Sequence, residues 1–164
     1  MKQTQRQILR RILWGVAVLG WMGIIFYFSA QNGEDSSAVS GGITDRLLHL
    51  LWRNFDQMTV TGQEQLRGQL TFVVRKGAHF TEYAILGFLV SGFLGSFSIG
   101  ISRRVPIAWL CGTLYACSDE LHQMFTDGRS PKLFDVMVDS AGVLTGVGIF
   151  LLLAFLYMRW KKHT

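Results

Sequence analysis

Four stretches of this chain are apolar and free of charge: residues 12–29, 85–101, 105–118 and 140–158. A membrane span needs about 20 mostly apolar residues, and short charge-bearing extensions bring each run to that length. The pattern predicts four transmembrane helices, near 11–29, 80–101, 104–124 and 132–158. One long connection, residues 32–75, separates the first helix from the second. Its first part, 32–42, is small and polar and is expected to be an ordered loop. From 43 to 55, apolar residues fall at 43, 47, 48, 50, 51 and 55, opposite Asp45, Arg46, Arg53 and Asn54. That spacing predicts an amphipathic helix. Thr61-Gly-Gln-Glu64 fits a capping box. Leu66, Leu70, Val73 and Val74 then continue at helical spacing through 75. Both amphipathic pieces are expected on the outer membrane surface or over the mouth of the bundle. The fold class is all-α: a polytopic membrane protein, a four-helix transmembrane bundle forming one domain over 1–164.

Charge orients the bundle. The 164 residues hold 16 Lys and Arg against 11 Asp and Glu, a net charge of +5. Lys2, Arg6, Arg10, Arg11, Arg103, Arg104, Arg159, Lys161 and Lys162 lie in 1–11, 102–104 and 159–164, where no acidic residue occurs. The excess of Lys and Arg on cytoplasmic segments places both termini and a 102–104 turn in the cytoplasm. Four spans and two cytoplasmic ends agree with each other. The positive charge therefore reports topology and anionic headgroups, not nucleic acid, for which no motif is present. The first run is long for a signal peptide and no A-x-A-like site follows it, so a retained anchor is expected. Its Trp14, Trp21, Phe26, Tyr27 and Phe28 are aromatics of the kind that anchor at interfaces. Cys111 and Cys117 point in different directions on one helix and are expected to be small buried packing residues.

Polar residues concentrate where the predicted spans end on the outer side. The first helix ends with Ser29 and Gln31. The second begins with Lys76, His79, Glu82 and Tyr83; Lys76, His79 and Tyr83 share a face at three- and four-residue steps. The third, with Pro106 in its first turn, ends with Asp119, Glu120, His122 and Gln123. Asp119, His122 and Gln123 project together, and Glu120 points about 100° away. Asp127-Gly128 signals a turn, Arg129 follows, and Ser130-Pro131 reads as an N-cap with proline at the first helical position. Asp135 and Asp139 lie one turn apart on the fourth helix, on the face continued by Gly142 and Gly146. Gly-x-x-x-Gly lets another helix approach closely, so both aspartates should face the bundle. Charges inside a membrane segment are costly unless paired or facing a cavity, which makes this cluster the candidate site.

These residues resemble a family. Phe-Tyr-Phe-Ser-Ala-Gln at 26–31, Lys76-x-x-His79-Phe-x-Glu-Tyr-x-x-Leu-Gly, Ser118-Asp-Glu-x-x-Gln-x-Phe-x-x-x-Arg129 and Asp135-x-x-x-Asp139-x-x-Gly142 resemble the VanZ-like membrane proteins. That family is named for a teicoplanin-resistance protein. The resemblance spans roughly 12–150, with all blocks in order. It implies a protein of the bacterial cytoplasmic membrane and cell envelope, linked to glycopeptide sensitivity. The family pattern maps onto Lys76, His79, Glu82, Asp119, Glu120, Gln123, Arg129, Asp135 and Asp139. It supplies no reaction.

Three readings remain open. An enzyme acting on a lipid-linked or cell-wall precursor would use His79, Glu82, Asp119, Glu120, His122 and Asp135 as acids and bases. Lys76, Gln123, Arg129, Asp139, Ser29 and Gln31 would bind the substrate, the cations taking a phosphate or carboxylate. A carrier for an anionic lipid or precursor would use the same cations and break no bond. A structural cluster would fasten helices in a protein acting through partners. His79-x-x-Glu82 and Asp119-x-x-His122 have the one-turn spacing of metal ligands. Lys76 and Arg129 can instead neutralise the carboxylates, so no metal is assigned. No cofactor is assigned, the expected partner is membrane lipid, and the oligomeric state stays open.

Overall fold

A computed structural model of the protein describes residues 3–31, 33–126 and 132–163. Among the described residues the secondary structure is entirely helical: α1 (Gln3–Ser29), α2 (Gly33–Leu51), a short 3-10 turn (Phe55–Gln57), α3 (Val60–Gly95), α4 (Ile101–Gln123) and α5 (Leu133–His163). The turn signal at 127–128 and the Ser130-Pro131 cap lie outside the described residues.

α1 begins at Gln3 rather than near 11, and α5 runs on to His163 rather than 158. Three further boundaries differ from the sequence reading, each for a local reason. The polar stretch before 43 is helical from Gly33, not a loop. No proline interrupts it, and the helix it extends packs on α3, with Thr44 bonded to Thr71 and both Thr44 and Leu48 fully buried. Tertiary burial outweighs the poor helix propensity of glycine and serine there. The face that packs is Ser40–Thr44–Leu48; Ile43, Leu50 and Leu51 of the predicted apolar face are exposed. The second amphipathic piece is not a separate helix. It runs without a break into the second predicted span, giving the 36 residues of α3. At 1.5 Å per residue that is about 54 Å, well beyond a hydrocarbon core of about 30 Å. Its cap is Thr59, whose hydroxyl accepts the Gly62 N–H at 3.3 Å; Thr61 already lies in the first turn.

The turn between α3 and α4 falls at 96–100, ahead of Arg103-Arg104. Ser98 there takes φ 61°, a left-handed conformation suited to tight turns, and Gly100 precedes the first residue of α4. Because residues 96–100 are uncharged and include Phe97 and Ile99, the apolar run concealed the break. Arg103 and Arg104 are thereby helical, and Pro106 lies inside α4, past its first turn. It forgoes one intrahelical hydrogen bond to the carbonyl of Ser102.

α3 packs most extensively on α5, and α4 packs on both. The glycines of α5 make this possible. A Cβ on Gly142 would overlap the carbonyl of Phe80, and one on Gly146 the carbonyl of Ala84. The small central core includes Ile25, Tyr83, Leu86, Ala116, Val143 and Val147. Thr4–Ser29 and Leu133–Lys162 are long and apolar enough to cross a membrane. Only 11% and 22% of their apolar windows are buried, so neither is the core helix of a soluble protein. Both instead turn apolar side chains outward, among them Leu13, Val16 and Leu19 on α1 and Leu152, Leu153 and Leu156 on α5. Among the described helices these two alone contain so long an apolar stretch.

The aromatics of α1 do more than lie at an interface. Trp14 packs on Phe88 and Phe150, and Trp21 donates its indole N–H to the Glu82 carbonyl at 2.8 Å. Cys111 and Cys117 are free and exposed rather than buried. The inward face of α4 belongs to Ala108, Gly112 and Ala116, which leaves both thiols on the outside.

Candidate functional site

Four helices bring their polar residues to one end of the molecule. α1 contributes Ser29, α3 contributes Lys76, His79, Glu82 and Tyr83, α4 contributes Asp119, Glu120 and Gln123, and α5 contributes Asp135 and Asp139. The α3 residues share a face because they recur at three- and four-residue steps. The aspartates of α5 turn toward α3 because the glycines below them bring the two backbones together.

Specific pairs hold the cluster. The Lys76 ammonium forms an ion pair with Asp135, both side chains mostly buried. His79 Nδ1 lies 3.8 Å from Asp139 Oδ1. Gln123 donates its amide to Ser29 Oγ at 2.8 Å and to Asp119 Oδ2 at 3.1 Å. The Lys132 N–H donates to Glu120 Oε2 at 3.0 Å, tying α4 to the residue before α5. Ser29, read from the sequence as a substrate-binding group, is buried and bonded to Gln123. Glu120, predicted to point away from Asp119 and Gln123, is buried as they are. The end of α4 is enclosed on two sides, by α1 and α3 and by the start of α5, so both directions lead inward.

His122 does not join the carboxylates. Its ring stacks on Phe26 of α1, with centroids 4.6 Å apart. A one-turn spacing aligns Cα–Cβ directions, but the ring turned to the aromatic neighbour. Among the described residues no group of three or more His, Cys, Asp or Glu side chains is arranged to hold a metal ion. Arg129 lies outside the described residues.

Asp139 is the centre of the arrangement. It is 1% exposed, and Glu82, Asp119, Glu120 and Asp135 all stand within electrostatic range of it. Neither of its oxygens has a hydrogen-bond donor among the described residues, and the same holds for the fully buried Tyr83 hydroxyl. Buried polar groups of this kind are rare in protein interiors and concentrate where function requires them. Tyr115, packed near the Tyr83 ring, spends its hydroxyl elsewhere, on the Met22 carbonyl at 2.7 Å.

Beside the cluster lies a cavity of about 170 Å³ between α1, α2 and α3. Ser29, Gln31, Ser40, Arg75, His79 and Glu82 supply its polar wall. Arg75 and Ser40 were not singled out from the sequence. Arg75, His79 and Glu82 stand at i, i+4 and i+7, so the helical signal for Arg75 was present. Ser40 carried no such signal, since only the packing of α2 brings it there. Lys76, expected to bind an anion, is engaged with Asp135, and Arg75 is the cation on the cavity wall.

A helical protein with two membrane-length apolar helices and a buried acid–imidazole cluster at one end is the class these observations define. The chain belongs to the VanZ/LLP1 family, whose model matches residues 14–155, from α1 into α5 and across every residue of the cluster. No curated protein and no solved structure matches it.

Proposed function

We propose that this protein is a four-span enzyme of the bacterial cytoplasmic membrane acting on an anionic lipid-linked or cell-wall precursor. α1, the second half of α3, α4 and α5 are its spans, both termini are cytoplasmic, and the carboxylate cluster faces outward. The single observation that carries the reading is the position of His79. Its imidazole lines the cavity, and its Nδ1 faces the buried Asp139. A carboxylate behind an imidazole orients the ring and stabilises its protonated form, as general acid–base catalysis requires. Distances of this kind often shorten only when substrate binds. Arg75, on the same wall, suits a phosphate or carboxylate group. The cavity between α1, α2 and α3 suits the headgroup of a lipid-linked substrate seated on Arg75. Family membership supports a role in glycopeptide sensitivity, teicoplanin included.

A non-catalytic reading also has an observation of its own. Lys76–Asp135, Glu120–Lys132 and Gln123–Ser29 each join different parts of the bundle. A carrier or a structural partner protein would need those fasteners and no chemistry at His79.

The two are separated by presenting a lipid-linked wall precursor to purified protein and following bound and released species by mass spectrometry. The enzyme reading expects a mass change in the substrate with wild type. His79→Asn should retain the bound precursor and lose the change, and Arg75→Ala should lose binding. Binding without any mass change would support the carrier; neither binding nor change would leave the structural role.

A further inference from the structure

The end of the molecule opposite the carboxylate cluster holds a second cavity, of about 540 Å³, where α1, α3, α4 and α5 meet. Its polar corner is made by Arg10 and Arg104 and its apolar wall by Trp14, Phe150, Phe155 and Met158. We propose that it binds an anionic phospholipid, with the phosphate on the two guanidinium groups and an acyl chain along the aromatic wall. The proposal rests on the membrane reading given above but not on the acid–base role of His79.

Three observations carry it. First, among the described residues the arginines have no acidic partner. Segments 1–33, 83–118 and 140–164 contain no Asp or Glu, and Asp119 stands 15 residues along α4 from Arg104, about 22 Å away along the axis. Second, donors remain available. A guanidinium carries five N–H groups. Arg10 makes only long bonds, at 3.4 Å, to the carbonyls of Gly95 and Ser96. Arg104 donates one group to the Ile99 carbonyl at 2.8 Å, and its buried Nε has no acceptor among the described residues. Carbonyls at the end of α3 and in the turn after it thus orient both side chains, with their charge uncompensated among the described residues, as a phosphate site requires. Third, the cavity does not stop at the charges. Phe155 and Met158 are about half exposed and lead from the arginines along the outer surface of α5. A soluble phosphate would need the polar corner alone, whereas a phospholipid uses both parts. Basic pockets between helices at the cytoplasmic side of a membrane are suited to such headgroups.

The test is native mass spectrometry of detergent-purified protein with phosphatidylglycerol or phosphatidylcholine of identical acyl chains, and with glycerol 3-phosphate. Wild type should retain phosphatidylglycerol at least fivefold more than phosphatidylcholine. The double variant Arg10→Gln/Arg104→Gln should lose that preference, while the exposed neighbour Arg103→Gln should keep it. Ala154→Phe, which fills the apolar wall without touching either arginine, should lower retention of both lipids and guards against misfolding of the arginine variant. Equal retention of the two lipids by wild type overturns the proposal. So does an Arg103→Gln effect as large as the double variant's, or glycerol 3-phosphate competing as well as the lipid. Resistance of the protein to carbonate extraction from membranes reads the membrane assignment separately. A protein that stays in the membrane yet shows no phosphatidylglycerol preference overturns this site alone.

Discussion

His79 stands between two environments, the buried carboxylate of Asp139 and the cavity wall it shares with Arg75 and Glu82. If Asp139 only orients the ring, Asp139→Asn should keep substrate binding and reduce turnover by roughly 10²- to 10⁴-fold, the range general acid–base catalysis contributes. Unchanged turnover in that variant would remove the pair from the mechanism. Lys76 makes a different case. Its ion pair with Asp135 is mostly buried, and deleting one partner of such a pair strands the other charge at a cost of about 3–5 kcal/mol. Lys76→Met should therefore lower the thermal midpoint in detergent, and Lys76→Met/Asp135→Leu should recover most of the loss. A double variant no better than the single would mean the lysine stabilises the bundle by some other contact. At this scale the sequence was legible to the level of residue type. Lysine, histidine and the acidic residues pointed to one polar site; Lys76, His79 and the carboxylates of α3, α4 and α5 meet there, whereas His122 turns to Phe26. Which cation serves which carboxylate was not legible. Lys76 and Arg75 are adjacent in sequence but differ by about 100° around the helix, and only the position of α5 decides which one meets Asp135.

At the scale of elements, the contact between α3 and α5 carries most of the architecture. Gly142 and Gly146 were read as the face another helix would approach, and α3 is the helix that does so. Gly142→Leu should disturb assembly, because its side chain would have to displace the Phe80 carbonyl; overpacking of this kind costs about 1–3 kcal/mol or more. Gly148→Leu provides the comparison, since a Cβ there meets nothing within 4 Å. Equal melting temperatures for the two variants would place the helix contact elsewhere. Helix ends were less legible. The break at 96–100 is built from uncharged residues that an apolar run absorbs, and α2 continues through a polar stretch because burial of Thr44 and Leu48 holds it. The hydroxyl contact from Thr71 to Thr44, at 3.2 Å, and the Arg67–Asp45 ion pair, at 2.9 Å, fix α2 alongside the first half of α3.

For the whole molecule, the proposed topology has a direct check. Single cysteines in a Cys111→Ser/Cys117→Ser background, placed at Gln5, Ser98 and His163, should be shielded from a membrane-impermeant maleimide in intact cells. A cysteine at Gln57 should be labelled. Labelling of Ser98→Cys from outside would contradict the orientation and with it the outward cluster. If the outward cluster acts on a wall precursor, expression should change teicoplanin susceptibility and Asp119→Asn should abolish the change at equal membrane levels.

The sequence by itself determined the helical class, the apolar lengths of α1 and α5, the basic and acidic ends and the residue types of the cluster. All of these follow from local composition and from periodicity along a helix, which do not depend on neighbours. Only the tertiary structure decided that Lys76 pairs with Asp135, that His79 and not His122 meets an aspartate, that Glu120 is enclosed, and that Arg75 reaches the cavity. Those outcomes depend on how α1, α3, α4 and α5 are rotated and spaced against one another. That geometry is set by glycine-mediated approach and by contacts between residues as far apart in sequence as Ser29 and Gln123.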